Sequence, residues 1–187
     1  MTYFIPILYL FMYALLHSIL AMGRVKTQLY RLIPQSHYRL SYTILSILLH
    51  LPFPFLPWPS GHIYQISPPQ SYMLHAIQLI GFAGFLWSLH HTVLGDFLGW
   101  AHLKPSPLQT QLVTTGPYHL CRHPLYFFGS LIFVAHPQMS HAHLVLTLWL
   151  VIYFWMGSYI EERRLLHQFG HTYQTYQETT PRFIPFL

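Results

Sequence analysis

An all-α integral membrane protein with about five transmembrane helices, the last two forming a hairpin, is the fold class that three observations predict. Only 7% of the residues are charged, while 53% are apolar and 18% aromatic, far from the quarter or so of charged residues in soluble domains. Five apolar runs can be drawn along the 187 residues. At about 20 residues for each crossing of ~30 Å of hydrocarbon, they leave no room for a separate soluble domain. The nine Lys and Arg all fall beside alternate ends of these runs, which is the asymmetry that orients membrane helices.

The first run, Tyr3 to Met22, has no positive charge before it and exceeds the apolar core of a secretory signal, so it is expected to be a retained first helix. Arg24, Lys26, Arg31 and Arg39 follow it or open the second run, Tyr38 to Pro57. Pro52, Pro54 and Pro57 should bend or fray the end of that second helix, because each lacks an N–H and its ring blocks the preceding turn. The third run, Ser71 to Leu94, carries Gly81 and Gly84, small residues that permit close helix approach. Lys104 and Arg122 follow it.

The fourth run, Leu125 to Pro137, is short for a membrane helix at about 20 Å, and a tight turn near Gln138 to His141 leads to the fifth, Ala142 to Ile160. Arg163, Arg164 and Arg182 come after it. The opposite side receives only the segment Trp58 to Gln70 and the turn near Gln138. The positive side is cytoplasmic by rule, so the N-terminus is expected outside and the C-terminus in the cytoplasm.

The net charge of +5 comes from short clusters beside apolar runs. Topology accounts for them, and the lipid bilayer rather than nucleic acid is the expected partner. One cysteine, Cys121, cannot form an intrachain disulfide. There are fifteen histidines. The pair His90 and His91 and the group His136, His141 and His143 lack a Cys or carboxylate at a metal-site spacing, so no metal is expected.

Two polar stretches interrupt this pattern. The first is LVTTGPYHLCRHPLY, Leu112 to Tyr126, with Gly129 just beyond; the second is EERRLLHQFGHTYQTYQETTPRFIP, Glu161 to Pro185. Gly116-Pro117 reads as a turn, and His123-Pro124 places a proline in the first turn of a helix, where it is tolerated. Glu161 and Glu162 sit where the fifth run leaves the membrane, and ionisable residues at that depth are functional by default. Glu162 has a plainer alternative, marking the helix end and pairing with Arg163 and Arg164. Arg122 either holds a carboxylate or anchors the interface.

Both stretches resemble the signatures of the isoprenylcysteine carboxyl methyltransferase and phospholipid methyltransferase superfamily, with Thr180 departing from the apolar residue usual before Pro181. The resemblance implies a single methyltransferase domain over residues 1–187, with N-terminal helices in 1–95 and a cytoplasmic cofactor-binding region in 108–187. It implies S-adenosylmethionine as cofactor, held by Leu112, Val113, Tyr118, His123, Pro124, Leu125, Tyr126 and Glu161. Tyr118, His123 and Tyr126 offer donors and aromatic surface suited to an adenosine group. No catalytic residue is assigned.

Leu16-His17-Ser18, Ala21, Val25-Lys26, Tyr38-Arg39-Leu40, Tyr42 and Asp96-Phe97-Leu98-Gly99 are similar to the nurim-like and NnrU-like branch, which includes methanethiol S-methyltransferases. The prenylcysteine enzymes carry a substrate-binding arginine four residues before the first glutamate, where this chain has Gly157. A small or lipophilic methyl acceptor is therefore expected, a thiol first and a prenylcysteine or other lipophilic acid second. A non-catalytic membrane scaffold is the alternative of a different class. Reporter fusions at the two ends test the topology: the N-terminal fusion should report outside and the C-terminal one inside. Both ends on one face would mean a miscounted span, the short fourth one first.

Overall fold

The computed structural model describes residues 3–92, 103 and 111–185; the Asp96 to Gly99 segment and Lys104 lie outside them. The described residues form two compact units, one within residues 3–59 and one combining residues 60–92 with 111–185. The third apolar run lies in the second unit, with the C-terminal signatures.

The first unit holds α1 (Phe4–Ala21), α2 (Gly23–Leu29) and α3 (Gln35–Leu48). Tyr9, Tyr13 and His17 recur at four-residue spacing on α1, as Tyr38, Tyr42 and Ser46 do on α3, so each set lines one helix face. The faces meet. His17 Nδ1 lies 2.9 Å from Ser46 Oγ, the Tyr42 hydroxyl bonds His17 Nε2 at 2.5 Å, and Tyr38 donates to the Leu20 carbonyl at 2.7 Å. The Tyr9 hydroxyl donates to the Leu49 carbonyl. A polar seam of this kind holds two helices together where lipid supplies no hydrogen-bond partner. It also gives a physical role to His17, Tyr38 and Tyr42, which carried part of the N-terminal resemblance. The helix in the second apolar run stops at Leu48, and a 3₁₀ turn over Phe53–Phe55 follows among the prolines.

The second unit contains strand β1 (His62–Gln65), α4 (Gln70–His91), α5 (Pro117–Leu120), α6 (Pro124–Val134), strand β2 (Gln138–Ser140), α7 (His141–Phe169) and α8 (His171–Thr179). Antiparallel pairing of β1 with β2 sets Gln65 opposite Gln138 and His62 opposite Ser140. This ribbon is the only sheet among the described residues. It joins the two segments that the charge pattern assigned to one face of the membrane. Ser140 then caps α7, accepting a bond from the His143 N–H at 3.1 Å.

Three helices, α1, α4 and α7, are long and apolar enough to cross a membrane. The helices in the second and fourth apolar runs, α3 and α6, have 14 and 11 residues and are shorter than a full crossing. Phe4, Phe11, Leu79, Ile80, Ile152 and Ile160 remain exposed, as a lipid-facing surface requires. The chain is an integral membrane protein, mostly helical.

Close packing of α4 on α6 depends on the two glycines. A Cβ on Gly84 would lie 2.3 Å from the Phe128 ring, and one on Gly81 would lie 3.1 Å from the Phe128 carbonyl oxygen. At Gly157 a Cβ would meet nothing within 4 Å. Gly84→Ala should therefore destabilise the protein by about 1–3 kcal/mol through overpacking, whereas Gly157→Ala should stay within about 1 kcal/mol of the parent. Thermal unfolding in detergent checks the pair; equal midpoints for the two variants would contradict this packing account.

Candidate functional site

Glu161 and Glu162 lie some twenty residues into α7, about 30 Å from its start at the rise of an α-helix. They therefore sit roughly one hydrocarbon thickness from the β-ribbon end. Adjacent helical positions point in different directions, and the two carboxylates have different surroundings. Glu162 is 4% exposed, whereas Glu161 is 33% exposed.

Four side chains from three other segments converge on Glu162. Its Oε1 accepts from Arg122 Nε at 2.8 Å and lies 3.3 Å from His123 Nε2; its Oε2 accepts from Arg182 Nη2 at 2.7 Å and Gln177 Nε2 at 3.1 Å. The plainer expectation, pairing with Arg163 and Arg164, is replaced by these contacts. The long-range arginines win because their backbones are already held alongside. The Arg122 N–H donates to the Pro181 carbonyl at 2.8 Å and the His123 N–H to the Arg182 carbonyl at 3.0 Å.

Arg122 does more than hold the carboxylate. Its Nη1 also donates to the Gln177 carbonyl at 2.9 Å and to the Thr180 carbonyl, satisfying groups at the C-terminal end of α8 that would otherwise lack partners. The Tyr176 hydroxyl bonds the Tyr118 carbonyl, fastening α8 to α5. Gly116, at φ +63, makes the turn into α5 in a place where a Cβ would strike the His91 imidazole, so glycine is required there twice over. The two signature stretches are thus one packed object.

Beside it lies the more open carboxylate. Tyr126 donates to Glu161 Oε2 at 2.8 Å, and His123 Nδ1 is 3.6 Å from the same oxygen. The His123 and Tyr126 rings stack at 5.3 Å, and Tyr126 stacks in turn on Phe154 at 4.8 Å. Glu161 Oε1 has only the Arg164 guanidinium, 3.9 Å away, among the described residues. Tyr173 is buried, and its hydroxyl has no hydrogen-bond partner among the described residues. Burial, then the charge of Glu162, hold that phenol above its ordinary pKa; burial, then Glu161, do the same for Tyr118. Both remain protonated donors. Cys121 is fully buried, which pushes its thiol up to about 11, too high for a nucleophile at neutral pH.

Of the residues expected at the cofactor, the structure brings together His123, Tyr126 and Glu161, with Tyr118 close enough to feel the Glu161 charge. Pro124 and Leu125 open α6 beside them. Leu112 and Val113 are half-buried in the segment before Gly116, and no described hydrogen bond joins them to the cluster. Arg122, Glu162, Gln177, Arg182 and Tyr173 were not singled out as one site by the sequence. The available signal was the pair of dipeptides Arg122-His123 and Pro181-Arg182, one in each signature. Among the described residues no group of three or more His, Cys, Asp or Glu is arranged to hold a metal.

These features are those of a mostly helical membrane protein with a buried ion-pair cluster toward the C-terminal end of α7, and comparison with known proteins identifies its family. Residues 71–172 match the phospholipid methyltransferase family. The chain is 29% identical over 190 residues to methanethiol S-methyltransferase 2 of Bradyrhizobium diazoefficiens, covering 98% of this chain and 73% of that protein. It is 28% identical to the methanethiol S-methyltransferase of Pseudomonas deceptionensis, over 98% of this chain and 72% of that one. It is 30% identical to that of Crocosphaera subtropica, over 94% and 71%. No solved structure matches the chain. The chain belongs to the phospholipid methyltransferase family.

Glu162→Gln removes the charge that Arg122 and Arg182 share and should cost about 3–5 kcal/mol, the range for breaking a buried ion pair on one side. Glu161→Gln, at a third-exposed position, should leave the thermal midpoint nearly unchanged. Equal loss of stability in the two variants would contradict the separate roles assigned to the two carboxylates.

Proposed function

We propose that the protein transfers a methyl group from S-adenosylmethionine to a small thiol at the cytoplasmic face of the membrane. The observation that carries this reading is Glu161: a carboxylate beside a buried charge cluster, positioned by Tyr126 and His123, with one oxygen still open to a ligand. S-adenosylmethionine supplies, when bound, a methyl group on a positively charged sulfur. The residues fit such a group. Glu161 matches its ammonium or ribose hydroxyls, and the unpartnered Tyr173 hydroxyl is a further donor close to these charges.

In this account Leu112, Val113, Tyr118, His123, Pro124, Leu125, Tyr126 and Glu161 hold the donor within a single domain spanning the chain. The short helices α3 and α6 complete five crossings, α6 and α7 forming the hairpin, with the N-terminus outside and the C-terminus inside. The β1–β2 pairing supports this orientation, since it gathers the segments predicted outside at the end of α7 away from Glu161. Holding donor and acceptor in line and excluding water supplies most of what methyl transfer needs.

The names of the relatives favour a thiol acceptor, and so does Gly157. Its position, one turn before Glu161, has no side chain to bind a prenylcysteine carboxylate and has open space around it. A competition assay offering methanethiol, a prenylcysteine analogue and a fatty acid should give methylated thiol as the main product. Exclusive methylation of the prenylcysteine carboxylate would overturn the acceptor assignment. For the donor, Glu161→Gln should weaken binding roughly tenfold to over a hundredfold, the equivalent of losing a charge-assisted contact of about 1.5–3 kcal/mol. Isothermal calorimetry checks it, and unchanged affinity in the folded variant would remove Glu161 from the site.

A further inference from the structure

A small thiol is mostly protonated at neutral pH, as the ordinary cysteine pKa of about 8.5 indicates, so methylation of its sulfur requires somewhere for the proton to go. His123 is nearly buried and lies between the two carboxylates. Glu162 is the shared partner of two arginines, so its Oε1 accepts, and a His123 ring with a single proton carries it on Nε2. That leaves a lone pair on Nδ1, 3.6 Å from Glu161 Oε2, itself an acceptor. The Tyr126 proton already points at that oxygen. In that tautomer two acceptors face each other with no hydrogen between them.

The groups around this gap are known from every side. Glu161, Glu162 and Arg164 come from α7, Tyr126 from α6, Tyr173 from α8, Arg122 from the preceding turn, and Arg182 with the Phe183 ring from the tail. Moving net charge into or out of such a buried cluster is costly. Methyl transfer removes the positive charge of the donor sulfur.

We propose that the acceptor's proton is retained at the gap between Glu161 Oε2 and His123 Nδ1, with the Tyr126 hydroxyl as its point of entry, so that an imidazolium replaces the lost positive charge. This rests on the proposed function above. The thiol S–H bond breaks as its sulfur bonds the methyl carbon. The electron pair of the broken donor S–C bond stays on the donor sulfur as a neutral thioether. Tyr126 takes the thiol proton while passing its own to Glu161 Oε2, where His123 Nδ1 receives it. The 3.6 Å gap is long for a hydrogen bond and closes when the shared proton arrives, as catalytic contacts commonly tighten with ligands in place. His123 is the proton acceptor, and Glu162 positions it by fixing the opposite ring nitrogen.

The test is calorimetry on the purified protein in detergent, titrating S-adenosylmethionine and S-adenosylhomocysteine in buffers of different ionisation enthalpy at pH 7.5. The second ligand lacks the methyl group and the charge. Its binding should take up about one proton more than binding of the first, and the difference should vanish in His123→Asn. Equal proton uptake by the two ligands overturns the proposal, as does a difference that persists in His123→Asn. If that variant fails to fold, the comparison in the parent protein still decides. Binding of neither ligand would overturn the proposed function itself, whereas binding without the proton difference overturns only this assignment.

Discussion

A single buried carboxylate, Glu162, organises the C-terminal half of this protein. It pairs with Arg122 and Arg182, orients His123 and accepts from Gln177, so that the turn before α6, the end of α7, α8 and the tail meet at one point. Charges taken out of water return little net stability unless their geometry is good and their remaining hydrogen bonds are made. Here those conditions are met, with Arg122 using its other donors on the carbonyls at the end of α8. The cluster is better understood as fixing one arrangement than as a source of excess stability.

From that arrangement the rest of the site follows. Fixing Glu162 sets the rotation of α7, which turns Glu161 toward Tyr126 and leaves one of its oxygens open. Fixing His123 through Glu162 and the Arg182 carbonyl sets the stack of His123, Tyr126 and Phe154. A membrane enzyme gains from this construction, because α7 carries the carboxylates to the depth where apolar helix gives way to polar chain. A soluble donor and a membrane-dissolved acceptor can both reach that depth.

Much of this was legible in the sequence. Composition and the apolar runs gave the membrane class, Pro52, Pro54 and Pro57 foretold the early end of α3, and Gly81 and Gly84 foretold a close helix contact. The signatures singled out His123, Tyr126 and Glu161, which lie together. The role of Glu162 was not legible. Nearby arginines, Arg163 and Arg164, offered a local explanation, whereas the actual partners lie 40 and 20 residues away and are chosen by backbone pairing that no local pattern encodes. The β-ribbon was missed for a similar reason: His62–Gln65 and Gln138–Ser140 are too short to show alternation, and each becomes a strand only by meeting the other. Nothing in the sequence distinguishes Tyr173 from the other tyrosines, whereas its buried hydroxyl without a partner among the described residues does.

The proposed methyl-donor site requires the two signatures, joined through Glu162, to lie against one ligand. Ultraviolet crosslinking of radiolabelled S-adenosylmethionine to the purified protein, followed by peptide mapping, tests it most directly. Label is expected in peptides from both stretches, around Tyr118 to Tyr126 and around Glu161 to Tyr173, with unlabelled donor abolishing it. Label confined to the helices of residues 3–59, or no competable label in folded protein, would contradict it.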